Sequence, residues 1–423
     1  ISPFVQEVVT SGVLVGAVIG AAVSGRLADA IGRRRMILAA AVLFIIGVVG
    51  SAFAPNVPAL VVTRGIVGLG IGVSSMIGPL YISEVAPARM RGGLVSLNQL
   101  AITSGILLSY LVNLAFAGSG DWRWMFGLGV IPALILGFGV TFMPESPRWL
   151  VDHGRSDEAK TVLARVDPEL SAANITQTVR DIAGSTKQER RDLGALLAPT
   201  IRPALLIGVA LAIFQQITGI NTIIYYAPTI FQLAGFQSAT ASIFATIGVG
   251  VVNVLMTIVA IRLVDRVGRR VLLLSGLVGM AASLAVLGLA FALPVARQQT
   301  AAITVVGLLI YIASFAVGLG PVFWLMISEI YPVTVRGSAM SVATVANWGA
   351  NLVVALTFLT LVQRLGTAPT FWLYGVFTVV TWVFVQRLMP ETKGRTLEQI
   401  QQFWHERMGS TTPVSTKGTA RRA

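Results

Sequence analysis

The chain has 423 residues, 55% of them hydrophobic and only 12% charged, about half the charged share of a soluble domain. Cysteine is absent, which excludes disulfides and thiolate metal sites, and the two histidines, His153 and His405, lie in charged segments. No G-x-x-x-x-G-K-[ST] phosphate loop occurs, so no ATP site of that kind powers the protein.

In chain order, apolar runs long enough to cross a bilayer are predicted at 8–28, 36–54, 58–82, 93–115 and 123–143. A polar segment, 144–202, then interrupts them; with DHGRSDEAKTVLARV it reads as short amphipathic surface helices. Six further runs follow at 203–232, 238–262, 270–293, 301–327, 338–362 and 369–389. Eleven spans result. The expected parts are a membrane bundle at 1–143, a helical linker at 144–202, a second bundle at 203–389 and a polar tail at 390–423.

The formal charge of +13 follows the same division. Arg33, Arg34 and Arg35 follow the first run, and Arg262, Arg266, Arg269 and Arg270 surround the end of a later one. The linker and the tail are also basic, whereas the alternate loops are nearly uncharged. That is the positive-inside pattern of a multi-pass protein of the cell membrane with basic loops, linker and C-terminus in the cytoplasm. The basic excess meets anionic lipid and is no nucleic-acid footprint.

Three motifs occur twice. Asp29-x-x-Gly32-Arg33-Arg34 returns as Asp265-x-x-Gly268-Arg269-Arg270, SEVAPARMRG at 83–92 returns as SEIYPVTVRG at 328–337, and Met143-Pro144-Glu145 returns as Met389-Pro390-Glu391. The common order and nearly common offset predict two homologous halves related by a parallel repeat, with a cavity between them. Two spans precede Asp265 in its half and one precedes Asp29, so the pattern expected is two six-helix bundles with the first helix absent from this chain. The repeated charges predict a latch at the cytoplasmic ends. Asp29, Arg33, Glu84, Arg91 and Glu145 form one set, and Asp265, Arg269, Glu329, Arg336 and Glu391 form the other. A cluster present only when those ends are together biases a two-state equilibrium.

Polar side chains inside spans are costly unless they bond a neighbour or line a wet cavity. Gln215, Gln216 and Asn221 share one run. On a continuous helix Gln215 and Gln216 point about 100° apart, and Gln215 and Asn221 about 240°. Periodicity alone favours interhelical glue for these three. Gln99, Asn253, Asn347 and Asn351 interrupt other apolar runs. Trp324 and Trp348 suit either a cavity wall or a packed core. Arg64 stands about six residues inside its run with no acidic residue well within any span, Glu7 being at an outer edge. It requires either a partner or the carbonyls of neighbouring helices.

GRLADAIGRRR at 25–35, PESPRWL at 144–150, FQQITGINTIIYYAP at 214–228, LVDRVGRR at 263–270 and PETKGRTLEQI at 390–400 resemble the sugar porter family of the major facilitator superfamily. The likeness runs from about residue 8 to 404 and is nearest to bacterial galactose/glucose–proton symporters. It implies an all-α membrane protein of the major facilitator fold. It also implies a secondary transporter, not an enzyme, that brings a hexose or pentose into the cell by alternating access. Proton symport is the expected mode, with facilitative uniport or carriage of a polyol or inositol as the alternatives.

The resemblance further assigns sugar contact to Gln99, Gln215, Gln216, Asn221, Asn253, Trp324, Asn347 and Asn351. It gives the outer gate to Tyr225 and Tyr226 and apolar lining to Ile102, Phe214 and Ile217. It makes Arg64 the proton-coupling candidate, since in proton-coupled members an aspartate of the first helix pairs with the matching arginine. No cofactor is implied beyond the proton as coupling ion, and the expected partners are a small sugar and membrane lipid, with function as a monomer. A sugar sensor of this family carries a long cytoplasmic tail, and a phosphorylating permease requires a histidine or cysteine beside the pathway. This sequence shows neither.

Overall fold

Among the described residues, eleven helical segments are long and apolar enough to cross a membrane, and they follow the order read from the sequence. The computed structural model describes residues 2–189, 196, 198, 201–294, 296–331 and 335–393, and every regular element among them is an α-helix. Most of the expected tail, and the side chains of Arg91, Asp265 and Arg336, lie outside the described residues. The first half comprises α1 (Pro3–Ile31), α2 (Arg33–Ala52), α3 (Val57–Val85) and α4 (Ala88–Ala117), then a fifth span made of α5 (Trp122–Gly127) and α6 (Val130–Thr141). The linker forms α7 (Pro147–Asp152), α8 (Ser156–Val166) and α9 (Ala172–Glu189).

In the second half, one span consists of α10 (Arg202–Ile217) and α11 (Ile220–Leu233). Next come α12 (Ala239–Val267) and α13 (Arg269–Ala292), and a span made of α14 (Arg297–Val317) and α15 (Leu319–Glu329). The last two spans are α16 (Arg336–Leu365) and α17 (Thr367–Leu388). Successive crossings sort the connections into two sets. The turns at 32, 86–87 and 268, the linker and residues 389–393 share one end, here called the basic end. The turns at 53–56, 118–121, 234–238 and 293–296 share the far end.

Local sequence explains the helix limits. Asn56 Oδ1 accepts from the Ala59 amide at 2.9 Å and opens α3, with Pro58 in the first turn, where its missing N–H costs nothing. Small residues set the spacing of α1 against α3, because a Cβ on Gly16 or Gly68 would overlap a carbonyl oxygen of the facing helix. The halves meet along two helix pairs, α1 with α16 and α4 with α12. The second half holds the larger buried apolar cluster, centred on residues such as Leu211, Ile223, Phe323 and Phe358, while Trp149, Leu150 and Val179 bind the linker helices together.

Candidate functional site

At the basic end, Gly32 turns α1 into α2 with φ 101°, a region that L side chains avoid, and a Cβ there would overlap the Glu145 carboxylate. Glu145 Oε1 accepts from the Arg33 and Arg34 amides at 2.9 and 3.1 Å. A negative charge thus sits where the start of α2 leaves N–H groups unpaired and the helix dipole is positive. The Arg33 guanidinium is buried. It donates to Glu84 through Nε at 2.9 Å and Nη2 at 3.2 Å, and lies 3.0 Å from Asp29.

The second half repeats the arrangement. Gly268 has φ 106°, Glu391 accepts from the Arg269 and Arg270 amides at 3.1 and 3.0 Å, and Arg269 pairs with Glu329 at 3.1 Å. Two further partners escaped the sequence reading. Ser146 Oγ donates to Glu84 at 2.5 Å and Thr392 Oγ1 to Glu329 at 2.6 Å. The signal was present, since a hydroxyl residue follows Pro-Glu in both copies of the motif.

The described ion pairs of these clusters each stay within one half. They therefore brace the basic end of each bundle, within the two sets that the repeated motifs define. The reason is local. Each arginine directly follows its glycine turn, and the nearest acids belong to its own bundle.

The amides form a second site at mid-membrane. The span 203–232 read as continuous breaks at Thr218–Gly219, where Gly219 has φ 95°. Helical angles therefore do not carry across it, and Asn221 turns back so that its Nδ2 donates to Gln216 Oε1 at 2.6 Å. Gln215 Oε1 accepts from Asn347 Nδ2 at 2.8 Å and from Gln216 Nε2 at 3.2 Å, and Gln216 Nε2 also donates to Asn347 Oδ1 at 3.1 Å. Four of the eight sugar-contact candidates thus form one network.

Gln215 Nε2 donates to the Leu319 carbonyl at 2.9 Å. Leu319 opens α15 just after a second break at Gly318, so the network ties two interrupted spans together. Backbone breaks at membrane depth are tolerated where they are buried in protein or line a cavity. Tyr311 braces the first break by donating to the Thr218 carbonyl at 2.8 Å, a role that an apolar span did not disclose.

The other candidates divide. Asn351 is buried and donates to Tyr225 Oη at 3.2 Å, while its Oδ1 is buried without a partner. That is an acceptor ready for a hydroxyl donor. Asn253 is buried on α12, and Gln99 is half-buried on α4. Trp324 is half-buried on α15 with its ring edge-on to Phe323 at 4.8 Å, five residues beyond the Leu319 carbonyl that the network holds. Trp348 Nε1 donates to Ser75 Oγ at 3.0 Å and so joins α16 to α3 across the halves. Phe214 packs on Phe384 of α17 at 4.9 Å, and Ile102 is exposed.

Toward the far end, Tyr226 leaves helical geometry with φ −112° and donates to the Ala355 carbonyl at 3.0 Å. Tyr110 of α4 donates to the Ile224 carbonyl of α11 at 2.9 Å, another link between the halves. Beside Tyr225 lies an apolar cleft of about 290 Å³ lined by Leu14, Phe44, Arg64, Phe126 and Trp348 among others. Arg64 Nη2 donates to the Thr10 carbonyl at 3.5 Å, the guanidinium lies 5.2 Å from the Phe126 ring centre, and Nε is buried without a partner. A cation this poorly paired inside a membrane span marks a functional site by default.

Residues 2–404 match the family model described as sugar (and other) transporter. This chain is a sugar porter of the major facilitator superfamily. It is 44% identical over 409 residues to the putative metabolite transport protein YwtG of Bacillus subtilis, covering 97% of this chain and 89% of that protein. It is 40% identical over 405 residues to the galactose-proton symporter of Escherichia coli, covering 95% and 86% respectively. Among solved structures, the proton:xylose symporter XylE bound to 6-bromo-6-deoxy-D-glucose superposes with a TM-score of 0.80 at 37% identity, covering 94% of this chain and 89% of that one. The porter is therefore a multi-pass membrane transporter and not an enzyme.

Proposed function

We propose that this porter carries a monosaccharide across the membrane by alternating access, coupled to protons. The observation that carries the sugar reading is the amide network of Gln215, Gln216, Asn221 and Asn347, set between two broken spans beside the unpartnered Asn351 Oδ1. Amides donate and accept at once, as sugar hydroxyls do. The network holds no formal charge, which suits a neutral substrate in a medium that penalises ions. Trp324, near the same junction, offers an aromatic face for the C–H surface of a sugar ring. Gln99 and Asn253 complete the proposed contacts from α4 and α12.

Proton coupling is supported by the names of relatives, among them the galactose-proton symporter and the arabinose-proton symporter of Bacillus subtilis, and by Arg64 with its unpartnered Nε. The basic end is assigned to the cytoplasm, because loops rich in Arg and Lys stay on that side. On that assignment Tyr225 and Tyr226 gate the outer mouth, and the monomer holds the whole path.

Reconstituted into vesicles, the full-length protein is expected to accumulate labelled galactose, glucose, xylose or arabinose when a proton gradient points inward. A probable inositol transporter of Arabidopsis thaliana is also a relative, at 36% identity, so myo-inositol belongs in the panel. Robust uptake with no response to the gradient would make the protein a uniporter. No uptake of any sugar in the panel would overturn the sugar reading.

A further inference from the structure

Glu7 is the one buried carboxylate among the described residues, and the readings above leave it without a role. It lies on α1 near the far end and is 1% exposed, yet no arginine or lysine pairs with it among the described residues. Both of its oxygens reach the other half. Oε1 accepts from the Thr360 amide at 2.9 Å and Oε2 from Thr360 Oγ1 at 2.7 Å.

Thr360 stands inside α16, which continues to Leu365. In an uninterrupted helix its N–H would point to the carbonyl four residues earlier. This one also lies within hydrogen-bond distance of a side chain of the opposite bundle. One turn before, the Ala355 carbonyl of the same helix accepts from Tyr226. Side chains from α1 and α11 thus bond backbone groups of α16, which stays helical through both positions.

We propose that Glu7 is a gating residue, holding the far ends of the two bundles together in one state of the transport cycle. The inference rests on the alternating-access reading, because only a protein whose bundles separate has a bond of this kind to break. A carboxylate suits a lock that must reopen. It makes charge-assisted bonds when docked, and water solvates it strongly when released, so neither state is a trap. The polar and titratable groups around it are Tyr226 of α11 and Tyr374 of α17, with Thr10 on its own helix and Arg64 of α3 one layer beyond.

Two substitutions are expected to act in opposite directions. In Glu7→Ala both bonds vanish, and the far-open population rises. In Glu7→Gln the amide oxygen still accepts from the Thr360 N–H, and the NH₂ donates to Oγ1, which also accepts. The bonds survive while the charge that draws the side chain into water is gone, so the far-open population falls.

The chain has no cysteine, so spin labels on introduced cysteines report cleanly. Ser119→Cys and Gln298→Cys place one label on each bundle at the far end, and double electron–electron resonance gives the distance distribution in vesicles. Glu7→Ala is expected to raise the long-distance fraction at least threefold and Glu7→Gln to lower it by a similar factor. Thr360→Val should move it as Glu7→Ala does, but less, and Thr360→Ser should match the parent. An unchanged distribution in Glu7→Ala and Thr360→Val overturns the proposal, as does a shift of Glu7→Ala and Glu7→Gln in the same direction. Sugar uptake by the labelled parent is measured separately. A parent that carries no sugar yet shows the opposed shifts refutes the transport reading and leaves the lock standing.

Discussion

Replacing Gln215 by alanine tests the amide network most sharply, because the structure separates what this residue holds up from what it presents to a ligand. Gln215 is 4% exposed and makes three bonds: to Leu319, Asn347 and Gln216. In the alanine variant Asn347 keeps the Ala212 carbonyl and Gln216 keeps Asn347 Oδ1, so the bond with no substitute is the one joining the two span breaks. Leaving that buried junction unmade costs about 1–3 kcal/mol of stability. Asn347 and Gln216, proposed above to contact the sugar, each lose one of their anchoring bonds as well. At about 0.5–1.5 kcal/mol for each misdirected hydrogen bond, and 1.4 kcal/mol per tenfold, sugar affinity should fall roughly tenfold to a hundredfold.

Asn221→Ala is the control. It removes one bond of 2.6 Å from a half-buried side chain whose own oxygen has no protein donor among the bonds seen. Its loss should weaken affinity by about tenfold with less than about 1 kcal/mol of destabilisation. Sugar binding by intrinsic tryptophan fluorescence, and unfolding of the detergent-solubilised protein, separate the two quantities. Parental affinity in a folded Gln215→Ala protein would refute the reasoning and reduce the network to interhelical glue.

Gly32→Ala and Gly268→Ala should each lower stability by about 1–3 kcal/mol, since both glycines hold positive φ against a carboxylate. Gly184→Ala, on an exposed position of α9 with open space around it, should be neutral or slightly stabilising in the same melting experiment. Acid should loosen α8. Its Asp157 carboxyl is held below the usual range by the Lys160 hydrogen bond at 2.8 Å, and Glu158 by Arg155 at 2.7 and 2.6 Å. Because the folded-state values are depressed, their contribution is complete above the unfolded carboxylate range and is lost as pH falls through the folded values. Amide exchange across α8, corrected for intrinsic rates, should therefore rise below about pH 4 and stay flat from about pH 5 to 8.

Much of the fold was legible because a bilayer imposes length and polarity on every span, and eleven apolar runs report both. The repeated Gly-Arg-Arg turns were legible for another reason: the positive-φ glycine, the buried arginine and the capping glutamate lie in short motifs. What escaped was set by distant partners. An average over 20 apolar residues does not register a break such as Thr218–Gly219, so the angles assigned to Gln215 and Asn221 on one helix did not apply. The hydroxyls of Ser146 and Thr392 went unread, and the structure has them donating to Glu84 and Glu329. Glu7 was read as an edge residue, and the structure buries it against a threonine 353 positions away.

Two of the three spans built from paired helices belong to the second half, whereas α3, which shares the repeated Ser-Glu motif with α15, runs for 29 residues without a break. Motion therefore need not be shared evenly between the halves. The long helices α1, α3 and α4 can swing as one body while the second half flexes at Gly219 and Gly318, so that one mouth narrows around a bound sugar before the whole assembly tips. Stiffening either joint would slow turnover while sparing equilibrium binding, a division of labour that the twofold sequence repeat conceals.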